Sequence, residues 1–313
     1  MQLLKINSTI KFMKLRIPAM VLSTLLILGS LTSLAVNQLN WGLDFTGGTL
    51  IEVGYPKAAK LDEIRVQLDE AGFSDAIVQN FGSSQDVLIR IAPRDGVKAA
   101  QIGDQIMVSL RADGTDVDMR RIEFVGPQVG EELTEQGGLA MLTALICILL
   151  YVMMRFEWRF ALGSVAALAH DVIITLGLFS VLQLEFDLTI LAAILAVIGY
   201  SLNDTIVVSD RIRENFRKIR KEEPEAIINI SLTQTLNRTI ITSITTILVL
   251  LALFFKGGAL IHGFSTALLF GVVIGTYSSI YISSSVALLL GISKEDLIPE
   301  QVEKEGEDLD PLL

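Results

Sequence analysis

Two adjacent polar residues, Asn203-Asp204, interrupt the apolar run Ala193 to Arg213, AILAVIGYSLNDTIVVSDRIR. A carboxylate in the middle of a membrane helix costs roughly 2.5 to 3.5 kcal/mol, so it faces a bundle interior or a water path and has a partner there. Helical spacing puts Tyr200 and Ser201 one turn before Asp204 and groups Thr205 with them, a polar patch on an apolar cylinder. A second polar face recurs at helical spacing further on, through Gln234, Arg238, Thr242 and Thr245 or Thr246. A third pair, His170-Asp171, lies roughly eleven residues into its own apolar run, near mid-membrane at ~1.5 Å per residue.

The chemistry open to such a set is proton handling. Burial and a neighbouring guanidinium act in opposite senses on a carboxylate, so a change in the separation of Asp204 and Arg238 would load or release a proton. Arg238 stays charged and would serve as the counter-charge. Each residue also has a structural reading. An arginine at the end of a span is commonly a snorkelling anchor, and His170 beside Asp171 is as readily a structural hydrogen bond as a relay. Asn203 and Thr242 read as polar support. No GxGD, GxSxG, HExxH or GxxxxGK run is present, the only cysteine is Cys147, and no cluster has metal-ligand spacing. The expectation is a protein that is not an enzyme, has no catalytic residues, no metal and no cofactor, and uses protons as its coupling ion.

These residues need a membrane scaffold, and the composition supplies one. Of 313 residues 51% are hydrophobic, with a mean hydropathy of +0.55, more apolar side chain than a water-soluble domain of this size buries. Net charge is −10, but the acidic excess sits in 37–138 and 292–313, and nothing in it suggests nucleic acid. Residues 1–16 are a basic N-terminal segment and 17–36 the first span. Ser33-Leu34-Ala35 loosely resembles a signal-peptidase site, but the run is long enough to span and more spans follow. Five further spans are expected at about 139–154, 160–182, 188–208, 239–255 and 264–290, with a basic loop 209–238 and an acidic tail 291–313. Arg155, Arg159 and the run from Arg211 to Lys221 mark the cytoplasmic loops, so both termini are expected in the cytoplasm and 37–138 outside. The basic run reads as a topology signal touching anionic lipid, or as a docking surface for a cytoplasmic partner.

Residues 37–138 predict strands at 49–55, 76–81, 87–91 and 117–124, with helices at 58–71 and 97–110. The order βαββαβ is that of an α+β ferredoxin-like domain. Gly271 and Gly275 form a GxxxG for close helix packing. The hydroxyl-rich run Thr276 to Ser285 either lines a polar path or bonds neighbouring helices.

Several stretches together resemble the SecF half of the SecD/SecF family, in the resistance-nodulation-division transporter superfamily. They are Trp41 to Gly48 (WGLDFTGG), Val125 to Leu133 (VGPQVGEEL), Arg155 to Phe160, Ala169-His170-Asp171, Gly199 to Thr205, Asp210-Arg211 and Asn237-Arg238-Thr239. In the first of these, Gly42, Asp44, Gly47 and Gly48 read as a junction motif, with the glycines giving tight backbone approach and Asp44 a cap or turn role. The resemblance implies a multi-pass subunit of the bacterial inner membrane that pairs with SecD as SecDF. It implies association with the SecYEG translocon, with YajC and YidC as further partners, and action on exported preproteins through the proton-motive force. It also implies that Asp204 and Arg238 are the proton-transport residues. Two other readings stay open: a scaffold that stabilises the translocon without transporting, and a small-molecule efflux half-transporter.

Overall fold

A computed structural model describes residues 8–94, 99–219 and 221–293. The first seven residues, the expected helix start near Val97, Arg220 and most of the expected acidic tail lie outside the described residues.

A short 3-10 turn, Phe12–Leu15, leads into α1, Arg16–Val36. Then come β1 (Asn40–Trp41), the single turn α2 (Leu43–Thr46), β2 (Gly48–Gly54), α3 (Leu61–Glu70), β3 (Ile77–Phe81), β4 (Ser83–Ile91), α4 (Ala99–Leu110) and β5 (Asp118–Val125). The chain continues through α5 (Pro127–Arg155), α6 (Trp158–Leu182), β6 (Glu185–Phe186), α7 (Leu188–Lys218), α8 (Pro224–Lys256) and α9 (Ala259–Ser278), then a π-helical turn, Ser279–Ser283, and α10 (Ser284–Leu289). Among the described residues six helical stretches are long and apolar enough to cross a membrane. Several run past the expected span limits. Helix α5 begins at Pro127 rather than near 139, and α7 and α8 absorb most of the basic loop expected over 209–238, leaving only 219–223 between them. The extensions carry charged helix formers, Glu131, Glu132 and Glu135 in α5 and Arg211, Arg213, Glu214, Arg217 and Lys218 in α7, so charge ends the membrane segment without ending the helix.

The strands β2 to β5 form one antiparallel sheet in the order β3-β4-β2-β5. Alternation sends Ile51, Val53, Val87, Ile89 and Ile91 to one face, where they meet Ile64 and Leu68 of α3 and Ile102 and Ile106 of α4. Helix α3 stops at Gly72, whose φ of +83° favours glycine. Phe73 N–H donates to Leu68 O at 2.8 Å and Gly72 N–H to Asp69 O at 3.0 Å, a paired helix-end closure that folds Phe73 onto the same core. Leu50 and Leu88, on the other sheet face, pack on Leu43 of α2.

A compact junction joins this domain to the helices. Strand β1 pairs in parallel with β6, Asn40 opposite Glu185 and Trp41 opposite Phe186. Trp41, Phe45 and Phe186 gather their rings with centroids 5.4 to 6.0 Å apart. Arg90, only 8% exposed, reaches from β4 to the Trp41 carbonyl, to Asn40 Oδ1 at 2.9 Å and to Glu185 Oε1 at 3.5 Å. Gly48 has φ +119°, and a Cβ there would lie 2.3 Å from Ile91 O, so no other residue fits. Asp44 Oδ2 accepts from Leu188 N–H at 3.0 Å and Asp187 Oδ1 from Ile190 N–H at 2.8 Å, so two carboxylates cap the start of α7.

Burial pushes the Glu185 carboxyl above its usual range, against the opposing pull of Arg90, and burial likewise raises Asp187. Between the ordinary and the raised values the folded chain binds more protons than the unfolded one. Stability is therefore gained as pH falls through the raised values and lost as pH rises through them. The melting temperature of the purified chain, measured from neutral to mildly acidic pH, is expected to climb less steeply in Glu185→Gln. It is expected to climb more steeply in Arg90→Met, where burial acts unopposed. Equal slopes in all three proteins would refute this reading of the junction.

Candidate functional site

Asp204 lies 16 residues after Leu188, about 24 Å along α7 at ~1.5 Å per residue. Its side chain is buried, with 7% of the residue exposed. Thr239 Oγ1 donates to Oδ1 and Ser279 Oγ to Oδ2, each at 2.8 Å, so α8 and the π-helical turn each offer one hydroxyl. Arg238 precedes Thr239, and one residue is about 100° of helix rotation, so the guanidinium points away from the hydroxyl's side. It is exposed and makes no ion pair within 4 Å among the described residues, although its charge reaches Asp204 through space. The structure thus sets Thr239, not Arg238, directly against Asp204.

The patch expected around Asp204 divides between neighbours. Ser201 Oγ donates to Asp171 Oδ2 at 2.5 Å, and Tyr200 Oη donates to Ser243 Oγ at 3.3 Å. Thr205 is buried with no hydrogen-bond partner for its hydroxyl among the described residues. Asn203 is exposed, about 100° around α7 from Asp204. Thr242 is exposed too, and its hydroxyl donates back to Thr239 O at 2.9 Å and Arg238 O at 3.1 Å. Gln234, Arg238, Thr242 and Thr245 therefore form an outward polar stripe on α8.

His170 and Asp171 on α6 are buried, 2% and 0% exposed. Nδ1 of His170 lies 2.8 Å from Asp171 Oδ1, and Nε2 lies 3.1 Å from Ser23 Oγ of α1. Ser278 Oγ also donates to Asp171 Oδ2, at 2.7 Å. Gly42, Asp44, Gly47 and Gly48 sit at the junction, remote from these carboxylates: Gly42 N–H donates to Phe186 O at 2.8 Å, and Gly47 takes φ +66°.

Sequence reasoning missed Thr239, Ser279, Ser278 and Ser23 as individuals. A signal existed for Ser23: α1 buries only Ala19, Ser23, Ser30 and Ser33, small or hydroxyl residues at helical spacing on an otherwise apolar run. Among the described residues no group of three or more His, Cys, Asp or Glu is placed to hold a metal ion.

Two family models match this chain, "Protein export membrane protein SecD/SecF, C-terminal" over residues 105–293 and "SecD/SecF GG Motif" over 32–58. The chain is 62% identical over 313 residues to a protein translocase subunit SecF of Vibrio alginolyticus, covering 99% of each. It is 52% identical over 294 residues to a protein of the same name from Escherichia coli O157:H7, covering 93% of this chain and 91% of that one. It is also similar in structure to SecDF from Thermus thermophilus, described as a translocon-associated membrane protein, with TM-score 0.84 and 35% identity. That match covers 92% of this chain and 39% of the SecDF chain, so the present chain spans well under half of that larger protein.

Proposed function

The chain belongs to the SecD/SecF family of protein-export membrane proteins, and from that premise we propose that it spends the proton-motive force, through Asp204 and Arg238, on moving exported preproteins across the bacterial inner membrane. As a Sec-pathway translocase subunit and a multi-pass membrane protein it works beside SecD. SecYEG, YajC and YidC are the wider partners in this reading. Both termini lie in the cytoplasm, and the four-stranded domain is ferredoxin-like and stands on the outer side. Its strand order, β3-β4-β2-β5, with α3 and α4 packed on one face, supports that assignment. The chain performs no covalent catalysis in this reading and needs no cofactor besides protons.

One observation carries the proton reading: Asp204 is buried in a membrane helix and held by two rotatable hydroxyls rather than locked in an ion pair. Such a carboxylate can change charge without tearing apart a salt bridge. The outward stripe of Gln234, Arg238, Thr242 and Thr245 adds support, because a row of polar side chains along a membrane helix is better met by another protein than by lipid. SecD covers it, and Arg238 meets Asp204's field at the border of the two subunits.

Export of a preprotein into inverted membrane vesicles tests the proposal, with the proton gradient intact or collapsed by an ionophore. Vesicles containing the chain are expected to lose export when the gradient collapses, and vesicles without it to be insensitive to the collapse. If removing the chain lowers export by the same factor with and without a gradient, the scaffold reading stands instead.

A further inference from the structure

The hydrogen bonds around His170 determine where its protons are. Tyr277 Oη donates its single proton to Ala19 O at 2.7 Å. Ser23 Oγ lies 3.0 Å from Tyr277 Oη, so Ser23 must be the donor in that contact. With its proton committed, Ser23 Oγ can only accept from His170 Nε2 at 3.1 Å, and Nε2 therefore carries a hydrogen. The other tautomer would leave Ser23 and Tyr277 facing each other with lone pairs alone. At the opposite ring nitrogen, Nδ1 and Asp171 Oδ1 are 2.8 Å apart. A neutral imidazole beside a bare carboxylate would set two lone pairs against each other at that distance. One proton has to lie between them, on either atom.

The pair and Asp204 also take hydrogen bonds from neighbouring residues. Ser278 donates to Asp171 Oδ2 and the next residue, Ser279, to Asp204 Oδ2. Ser201, one turn before Asp204 on α7, donates to the same Asp171 oxygen. Both serines of the pair have a second acceptor within reach, Gly275 O at 3.1 Å for Ser278 and Thr276 O at 3.0 Å for Ser279. When a carboxylate gains a proton, its serine can turn to the carbonyl and leave no donor stranded. These hydroxyls sit where α9 gives way to the π-helical turn Ser279–Ser283, a widened geometry that recurs at functional sites.

We infer that His170 and Asp171 hold one shared proton and form a second proton site, coupled to Asp204 through Ser278 and Ser279. The titratable groups facing the pair are Asp204 from α7 and Tyr277 from α9, with Tyr281 of the π-helical turn behind Tyr277, ring centroids 5.4 Å apart. Helix α1 brings hydroxyls, its one charged residue Arg16 being matched with Glu225 at the helix end, and α10 has no titratable residue. Helix α8 brings Arg238, whose charge reaches Asp204. The bearing of this on export rests on the reading of Asp204 as proton carrier; the test of the coupling does not.

Infrared difference spectra of the full chain with SecD in proteoliposomes, recorded over a series of pH steps, follow the carboxylic-acid carbonyl bands. The Asp204 band is assigned by its loss in Asp204→Asn. Its titration midpoint is expected to move by about one pH unit in His170→Gln, as for two interacting sites, and to move in Ser278→Ala, which keeps every titrating group. An unchanged midpoint in Ser278→Ala overturns the coupling even if His170→Gln fails to fold, and so does an Asp204 band that never titrates. Retained coupling with unchanged export in Asp204→Asn would remove the proton reading of function alone; lost export with an unmoved midpoint would remove this inference alone.

Discussion

Replacing Asp204 by asparagine is expected to bring export down to the level seen without a gradient, while the amount of assembled complex stays the same. The substitution keeps side-chain volume and keeps an acceptor for Thr239, which donates to Oδ1 at 2.8 Å. The new amide N–H group faces Ser279 Oγ, whose proton can turn to Thr276 O, 3.0 Å away. One of the two amide N–H groups then has Ser279 Oγ as its acceptor, so the substitution strands a single N–H at most, and the fold is expected to survive it. What disappears is the ability to change charge. Asp204→Glu, which keeps the titrating group but misplaces it, is expected to retain part of the response. The assay is gradient-dependent export in inverted vesicles after quantifying the complex by native gel. Full gradient-dependent export by Asp204→Asn would mean that this carboxylate only holds helices together.

The second large effect is structural. A Cβ on Gly271 would sit 2.2 Å from Val197 Cγ2 and 2.7 Å from Cγ1, on the face where α9 lies against α7. Gly275, one turn on, would place a Cβ 3.1 Å from that of Ser201, a milder crowding. Gly271→Ala must therefore push α7 and α9 apart, and overpacking of this kind costs about 1 to 3 kcal/mol. The same shift separates Asp204 on α7 from Ser279 just beyond α9, so function falls with stability. Trimming the opposing side chain should relieve it. The double variant Gly271→Ala, Val197→Ala is expected to recover most of the melting temperature lost by Gly271→Ala, whereas Gly275→Ala should cost less than Gly271→Ala. Equal melting temperatures for Gly271→Ala and the native chain would show that the two helices do not meet as described.

Periodicity in the sequence carried the membrane spans and the succession of strands and helices between 48 and 125, because apolar run length and alternation are local properties. Asp204 was legible for a related reason: a charge in an apolar run is conspicuous whatever surrounds it. Its partners were not. Arg238 and Thr239 are adjacent in sequence, but which of them meets Asp204 depends on how α8 is rotated against α7, and spacing along one helix says nothing about that. The same step of one residue leaves Asn203 exposed beside a buried Asp204. The run Thr276 to Ser285 announced itself as hydroxyl-rich, yet the assignment of Ser278 to one carboxylate and Ser279 to the other comes from the π-helical turn, which has no sequence signature here. Arg90 carries no signal of its own within the strand it belongs to. Only the approach of the β1 and β6 segments makes it a buried tie.

The parallel pairing of Asn40-Trp41 with Glu185-Phe186, and the cap that Asp44 places on Leu188 across 144 residues, bear on how the chain is built. Helices enter a membrane in order as they are synthesised. The folded four-stranded domain waits unfastened until α5 has crossed away from it and α6 has crossed back, because only then does the segment before α7 arrive on its own side. A chain in which one of those crossings failed would deliver Glu185 and Leu188 to the opposite side and could not close the junction. Charge in the loops biases insertion; closure of this junction verifies it, leaving a misinserted chain with a loose domain, bare helix ends and an exposed Arg90 for proteolytic surveillance to find.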